Sequence, residues 1–178
     1  MMNRSSLKWI SIGLAIAMLV AFGIPAIDRI VSKNGNEFYS YDASHPELVA
    51  ARLSALSSLD HFQQMLETSE QAKEFAVSVR VFTERGGYES VWLENVRFPD
   101  RGTVAGTISH DTLNRLKGGL SKGSYVVSSR QDVDDWSYRD GGRLRGNFSL
   151  RALMDLEEEA VQNSILADLH KDPVPDDN

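Results

Sequence analysis

From Val133 to Arg151 the chain reads Val-Asp-Asp-Trp-Ser-Tyr-Arg-Asp-Gly-Gly-Arg-Leu-Arg-Gly-Asn-Phe-Ser-Leu-Arg. A short extended segment, Val133 to Tyr138, runs into Asp140-Gly141-Gly142, and an alternating segment follows with Leu144, Gly146, Phe148 and Leu150 on one side. Period two commits a segment to a strand, and an Asp-Gly-Gly step supplies the positive φ of a tight hairpin turn. A chain carrying this block must build antiparallel sheet, with its last strand expected to reach Leu150.

The preceding residues agree. Phe75, Val77, Val79 and Val81 alternate, Gly86-Gly87 turns, and Tyr88 to Phe98 forms a second strand with Trp92, Val96 and Phe98 on one side. Further strands are expected at Val104–Ile108 and Tyr125–Ser129. The reading is α+β: a small bent antiparallel sheet or open barrel of five to six strands. One helix from Pro46 would cover it, using Leu48, Leu56, Leu59, Phe62 and Leu66, and started by a capping box at Ser44 to Glu47. A C-terminal helix is expected over Leu153 to Leu169. The domain spans residues 42–155, that helix fills 156–170, and the Pro- and Asp-rich tail 171–178 is expected to be disordered.

The other end of the chain speaks about location. Trp9 to Ile27 carries no charge, and its length meets the ~20 apolar residues a bilayer-crossing helix needs. Arg4 and Lys8 precede it, so the positive-inside bias sends the rest across. Residues 1–29 are therefore expected to be a single-pass anchor in the bacterial cytoplasmic membrane, with the C-terminal domain extracytoplasmic. The alternative is a signal segment cleaved near Ala21-Phe22-Gly23, leaving a secreted or periplasmic protein. Residues 30–41, with Asn34-Gly35-Asn36, read as a linker.

Composition removes several chemistries. The formal charge is −6, and the residues after 29 are more acidic than the whole. Phosphate backbones are gripped by clustered Lys and Arg, so a nucleic-acid partner is not expected. No cysteine is present, which removes disulfides, thiolate nucleophiles and cysteine-held zinc. Asp132, Asp134 and Asp135 lack calcium-loop spacing, since Trp136 fills a ligand position. His45, His61, His110 and His170 share no ligand spacing. No metal, cofactor or catalytic residue is assigned. Asn147-Phe148-Ser149 fits a glycosylation sequon but is expected inside a strand.

In order along the chain, Pro46, Phe75–Val79, Glu89–Trp92, Gly102–Ile108, Gly119–Gly123, Asp135-Trp136-Ser137-Tyr138 and Gly142–Phe148 resemble the YegJ-like family of bacterial domains of unknown function. The resemblance covers about residues 42 to 153. It implies an α+β module with no assigned activity. The chain departs from the pattern where Glu-His is usual, with Glu89-Ser90, and at His110-Asp111-Thr112 and Gly123-Ser124.

The binding candidates are Trp136, Tyr138, Asp135 and Arg143. Aromatics with a polar edge bury area and still hydrogen-bond, which suits interfaces. Trp92 reads as sheet core. Trp136 is open between core and site; packed, its ring would lie near Phe148 and hold the final hairpin closed. The favoured reading is an interaction or ligand-binding module of the envelope, offering a strand edge or aromatic groove to another envelope protein or a small ligand. The alternatives are a hydrolase working through Asp134, Asp135 and Glu89, and a structural spacer.

Overall fold

The computed structural model describes residues 28–31, 37–40, 45–154 and 159–175. The apolar run from Trp9 to Ile27 and Ser44 lie outside them. Among the described residues no helix is long and apolar enough to cross a membrane. The segment read as a linker contributes to a two-stranded antiparallel ribbon, β1 (Asp28–Val31) with β2 (Glu37–Ser40), in register from Asp28 opposite Ser40 to Val31 opposite Glu37.

The fold is α+β. Two helices, α1 (Pro46–Ser57) and α2 (Leu59–Thr68), replace the single covering helix expected. The break is at Ser58, where serine side chains compete for backbone carbonyls. Ser57 Oγ and Ser58 Oγ both donate to Ser54 O, at 2.9 and 2.7 Å. The residue preceding α1 is His45, which makes no side-chain cap bond; Pro46 occupies the first turn, where its missing N–H costs nothing.

Six strands form one open antiparallel sheet: β3 (Lys73–Phe82), β4 (Tyr88–Arg97), β5 (Thr103–Ile108), β6 (Tyr125–Ser129), β7 (Val133–Asp140) and β8 (Arg143–Gly146). Their order across the sheet is β6-β5-β4-β3-β7-β8. Val77, Val79, Val91, Leu93, Val104 and Ile108 face Ala55, Leu59 and Phe62 across the core. Register shifts interrupt both β3–β7 and β4–β5. The second decides a face. Asn95 takes φ 53°, the strand bulges, and parity flips. Val91 and Leu93 therefore share the core with Val96 and Phe98, and half-buried Trp92 points to the other side. The expected grouping of Trp92 with Val96 and Phe98 is corrected accordingly.

The last strand stops at Gly146 instead of Leu150. Gly146 has φ 71°, and a Cβ there would collide with the Trp136 carbonyl and ring. Asn147 follows at φ 52°, and α3 (Phe148–Leu153) begins. Phe148 and Leu150 thus belong to a helix, and Asn147 is the residue before it.

After α4 (Glu159–Asp168) the chain returns to the sheet. Leu169 is buried and bridges Leu144 in parallel. His170 N donates to Leu144 O at 3.0 Å, and Gly146 N donates to Pro173 O at 2.9 Å. Arg145 Nη1 donates to Asp172 O at 3.0 Å, and Val174 packs on the core. Residues 171–175, expected to be disordered, form a strap along β8; 176–178 lie outside the described residues.

Candidate functional site

Three of the four expected binding residues are internal. Trp136 and Tyr138 are 0 % exposed and Asp135 is 1 % exposed. The Trp136 ring stacks on Tyr138 at 5.8 Å and 9°, meets Phe148 edge-on at 5.3 Å, and lies 5.3 Å from Phe62. Its indole N–H donates to Ala55 O at 3.0 Å, at the α1–α2 break. Buried Trp needs such an acceptor, and here it fastens the helices to β7. The Tyr138 hydroxyl lies 3.1 Å from His61 Nε2, and burial pushes its phenol up. Arg143 is exposed at the β7–β8 hairpin, away from this cluster's interior.

Asp135 points away from Trp136 yet reaches the start of α3. It accepts from Trp136 N at 2.8 Å, Phe148 N at 3.1 Å, Ser149 N at 2.9 Å and Ser149 Oγ. The Phe148 and Ser149 amides are free donors of a helix N-terminus, satisfied by a carboxylate from a neighbouring strand. Burial pushes the Asp135 carboxyl up to about 6, against the pull of Ser149 and the backbone donors.

The carboxylates of the hydrolase reading are likewise occupied. Glu89 is buried and accepts from Leu113 N, Asn114 N and Asn114 Nδ2 at 2.9, 2.9 and 3.0 Å, tying down the 109–124 loop. Asp134 accepts from Ser90 Oγ and pairs with Arg52 Nε at 3.0 Å and Arg80 Nε at 3.3 Å. The Arg80 contact is an ion pair without hydrogen-bond geometry. Burial pushes the Asp134 carboxyl up, against Ser90, Arg80 and Arg52. Asp132 pairs with Arg80 at 3.6 Å. Asp132 and Asp134 share Arg80 while Asp135 faces the start of α3, and among the described residues no group of acids and histidines is placed to hold a metal ion.

A groove of about 730 Å³ is lined by Leu56, Leu59, Asp60, Gln63, Arg101, Arg130 and Gln131. Its central cation is already engaged: Arg130 donates to Gln63 Oε1 at 2.7 Å, to Asp60 Oδ1 at 2.5 Å, and lies over the Phe98 ring.

Among the described residues the β6 edge remains chemically open. Arg130 N donates to Gly102 O, and Ile108 N to Ser124 O, on either side of the β5–β6 ladder. Antiparallel bonding alternates. Ser124, Val126, Ser128 and Arg130 therefore turn their backbone groups toward β5, in the register that sets Val126 opposite Gly106. Tyr125, Val127 and Ser129 turn theirs outward. Among the described residues no strand pairs with that side. The same three side chains are exposed, Tyr125 and Val127 at 57 % each. Sequence reading recognised this strand but not its position, because edge status depends on strand order.

A family model described as "Uncharacterized protein conserved in bacteria (DUF2314)" matches residues 45–164. The chain belongs to that family. DUF2314 thus spans α1 to most of α4 and all six sheet strands, and its match ends before the strap. No curated protein and no solved structure matches the chain. The resemblance drawn from the Asp-Trp-x-Tyr block holds at the level of an uncharacterised bacterial family. At the departure Glu89-Ser90, the serine serves as a donor to Asp134.

Proposed function

We propose that this DUF2314 protein is a membrane-anchored, extracytoplasmic interaction module of the bacterial envelope, which takes up an extended polypeptide segment along β6. The carrying observation is the β6 edge, unpaired among the described residues, with outward backbone groups at Tyr125, Val127 and Ser129 and exposed apolar side chains at Tyr125 and Val127. Strand addition works this way: main-chain bonds supply affinity and alternate side chains supply selectivity. Asp134, Asp135 and Glu89 are engaged by the fold itself, so interaction is favoured over hydrolysis. The uncharged Trp9–Ile27 run behind Arg4 and Lys8 supports the anchor, and the Asp135–Phe148 block supports grouping the domain with YegJ-like modules.

The test is site-specific photo-crosslinking of the full-length chain in its bacterium. A photoreactive residue at Tyr125 or Val127 should give discrete polypeptide adducts, and one at exposed Leu166 should not. Absence of adducts at both edge positions sinks the reading. A reporter fused after Asn178 should behave as exported; a cytoplasmic reporter would remove the envelope part.

A further inference from the structure

We propose that the segment received by β6 is the β6 strand of a second copy of this chain, paired antiparallel about a two-fold axis at Val127. The inference rests on the edge reading above and names its partner. Only Tyr125, Val127 and Ser129 present outward groups, so hydrogen-bonded pairs across the edge must join residues of that set. An axis through Val127 pairs Val127 with Val127, and Tyr125 with Ser129 in both directions. That register alone uses all three residues of each copy, giving about four main-chain hydrogen bonds, because the Ser129 carbonyl is already turned into the 3-10 turn over Arg130–Asp132. A closed two-fold contact of this kind is self-complementary and consumes both edges.

Charge agrees with the register. β6 reads Tyr-Val-Val-Ser-Ser, so no like charges meet across the axis. Lys122 and Asp132 lie equally far on either side of Val127. The antiparallel arrangement thus sets the turn holding exposed Lys122 of one copy toward the end of β6 that carries Asp132 in the other, where the Asp132 side chain is 46 % exposed and 3.6 Å from Arg80. Edge strands that avoid pairing carry inward charges, lysines or prolines, and β6 carries none of these. Val127 would lie beside its symmetry mate, flanked on each side by a Tyr125 opposite a Ser129, on the face opposite α1 and α2.

The experiment uses the full-length chain and two single variants, Val127→Lys and Val127→Glu. Sedimentation should show a dimer for the natural chain. Each variant should associate at least about tenfold more weakly, because like charges directly opposite destabilise a pair. An equimolar mixture of the two should regain the dimer as a heterodimer, with melting curves of all samples showing a folded domain. A natural chain that stays monomeric, or variants that dimerise as tightly as it does, overturns the inference. So does a monomer whose Val127 amide is already protected from exchange, since its own residues then cover the edge. A monomeric chain that still gives edge adducts with other polypeptides defeats the second copy alone, whereas loss of all adducts defeats the edge reading as well.

Discussion

β8 and β6 are both short strands at the rim of one sheet, of four and five residues. β8 is enclosed. The strap runs beside it through the Leu169–Leu144 bridge and the Gly146–Pro173 bond. Arginines lock the layers: Arg139 to Asp168 at 2.8 Å, Arg145 to Asp140 at 3.1 Å, and Arg151 Nε to Gly146 O at 2.7 Å. His170 Nε2 adds a contact to Asp140 O at 2.7 Å. β6 has no such cover among the described residues and holds no charge. An unpaired edge is an aggregation hazard that proteins ordinarily blunt. One edge blunted by dedicated chain and the other left bare is the pattern expected when the bare one has a partner.

The comparison makes the β7–β8 end the stability centre and the β6 end the recognition surface. The largest effect should therefore come from Trp136→Ala. It removes the ring joining β7, α1, α2 and α3 and the bond to Ala55 O. Truncating a packed aromatic costs ~3–5 kcal/mol, against a typical total of ~5–15 kcal/mol. Denaturant titration should find the variant unfolded or nearly so. An unchanged midpoint would break the division of labour.

Next is the pH response of Asp135. Its folded carboxyl sits at about 6, above its unfolded value, so between these values the folded state binds more protons. Stability should then fall as pH rises from ~4 through ~6, by up to ~3 kcal/mol at ~1.4 kcal/mol per pH unit. Asp134, also raised, acts in the same sense. Asp135→Asn should flatten the slope measured by denaturation at several pH values. A rise in stability over that window would mean that the donors outweigh burial.

Local signals carried much of this architecture. Alternation identified the strands, Asp140-Gly141-Gly142 identified the hairpin, and the expected packing of Trp136 near Phe148 is present at 5.3 Å. Features set by distant partners were not legible. Gly146 must be glycine because Trp136 presses on it, which ends β8 early and turns Phe148 into helix. The strap depends on Leu169 meeting Leu144, and the tail's composition alone reads as disorder. The candidate site misled for a physical reason. Asp135, Trp136 and Tyr138 have the residue types of a binding site, but the same hydrogen-bonding capacity lets them be buried with every polar group engaged. The open edge consists of commonplace residues whose significance comes from strand order.

The smallest effects should sharpen the contrast between edges. Leu169 is 3 % exposed, and Leu169→Ala opens a cavity under the strap. Such truncations cost ~2–5 kcal/mol, and a peripheral site should fall near the low end. Val127→Ser, by contrast, trims a side chain that is 57 % exposed and leaves the β5 ladder intact, since Val127 directs its backbone groups outward. Surface changes of this kind stay within ~0.5 kcal/mol. The two variants should be compared by chemical denaturation at a protein concentration where the natural chain is monomeric, so that association adds nothing to either value. A loss of stability for Leu169→Ala beside near-constancy for Val127→Ser separates a structural edge from a free one. Equal losses would mean that β6 is held as firmly as β8 within the single chain, and its bare edge would no longer argue for a partner.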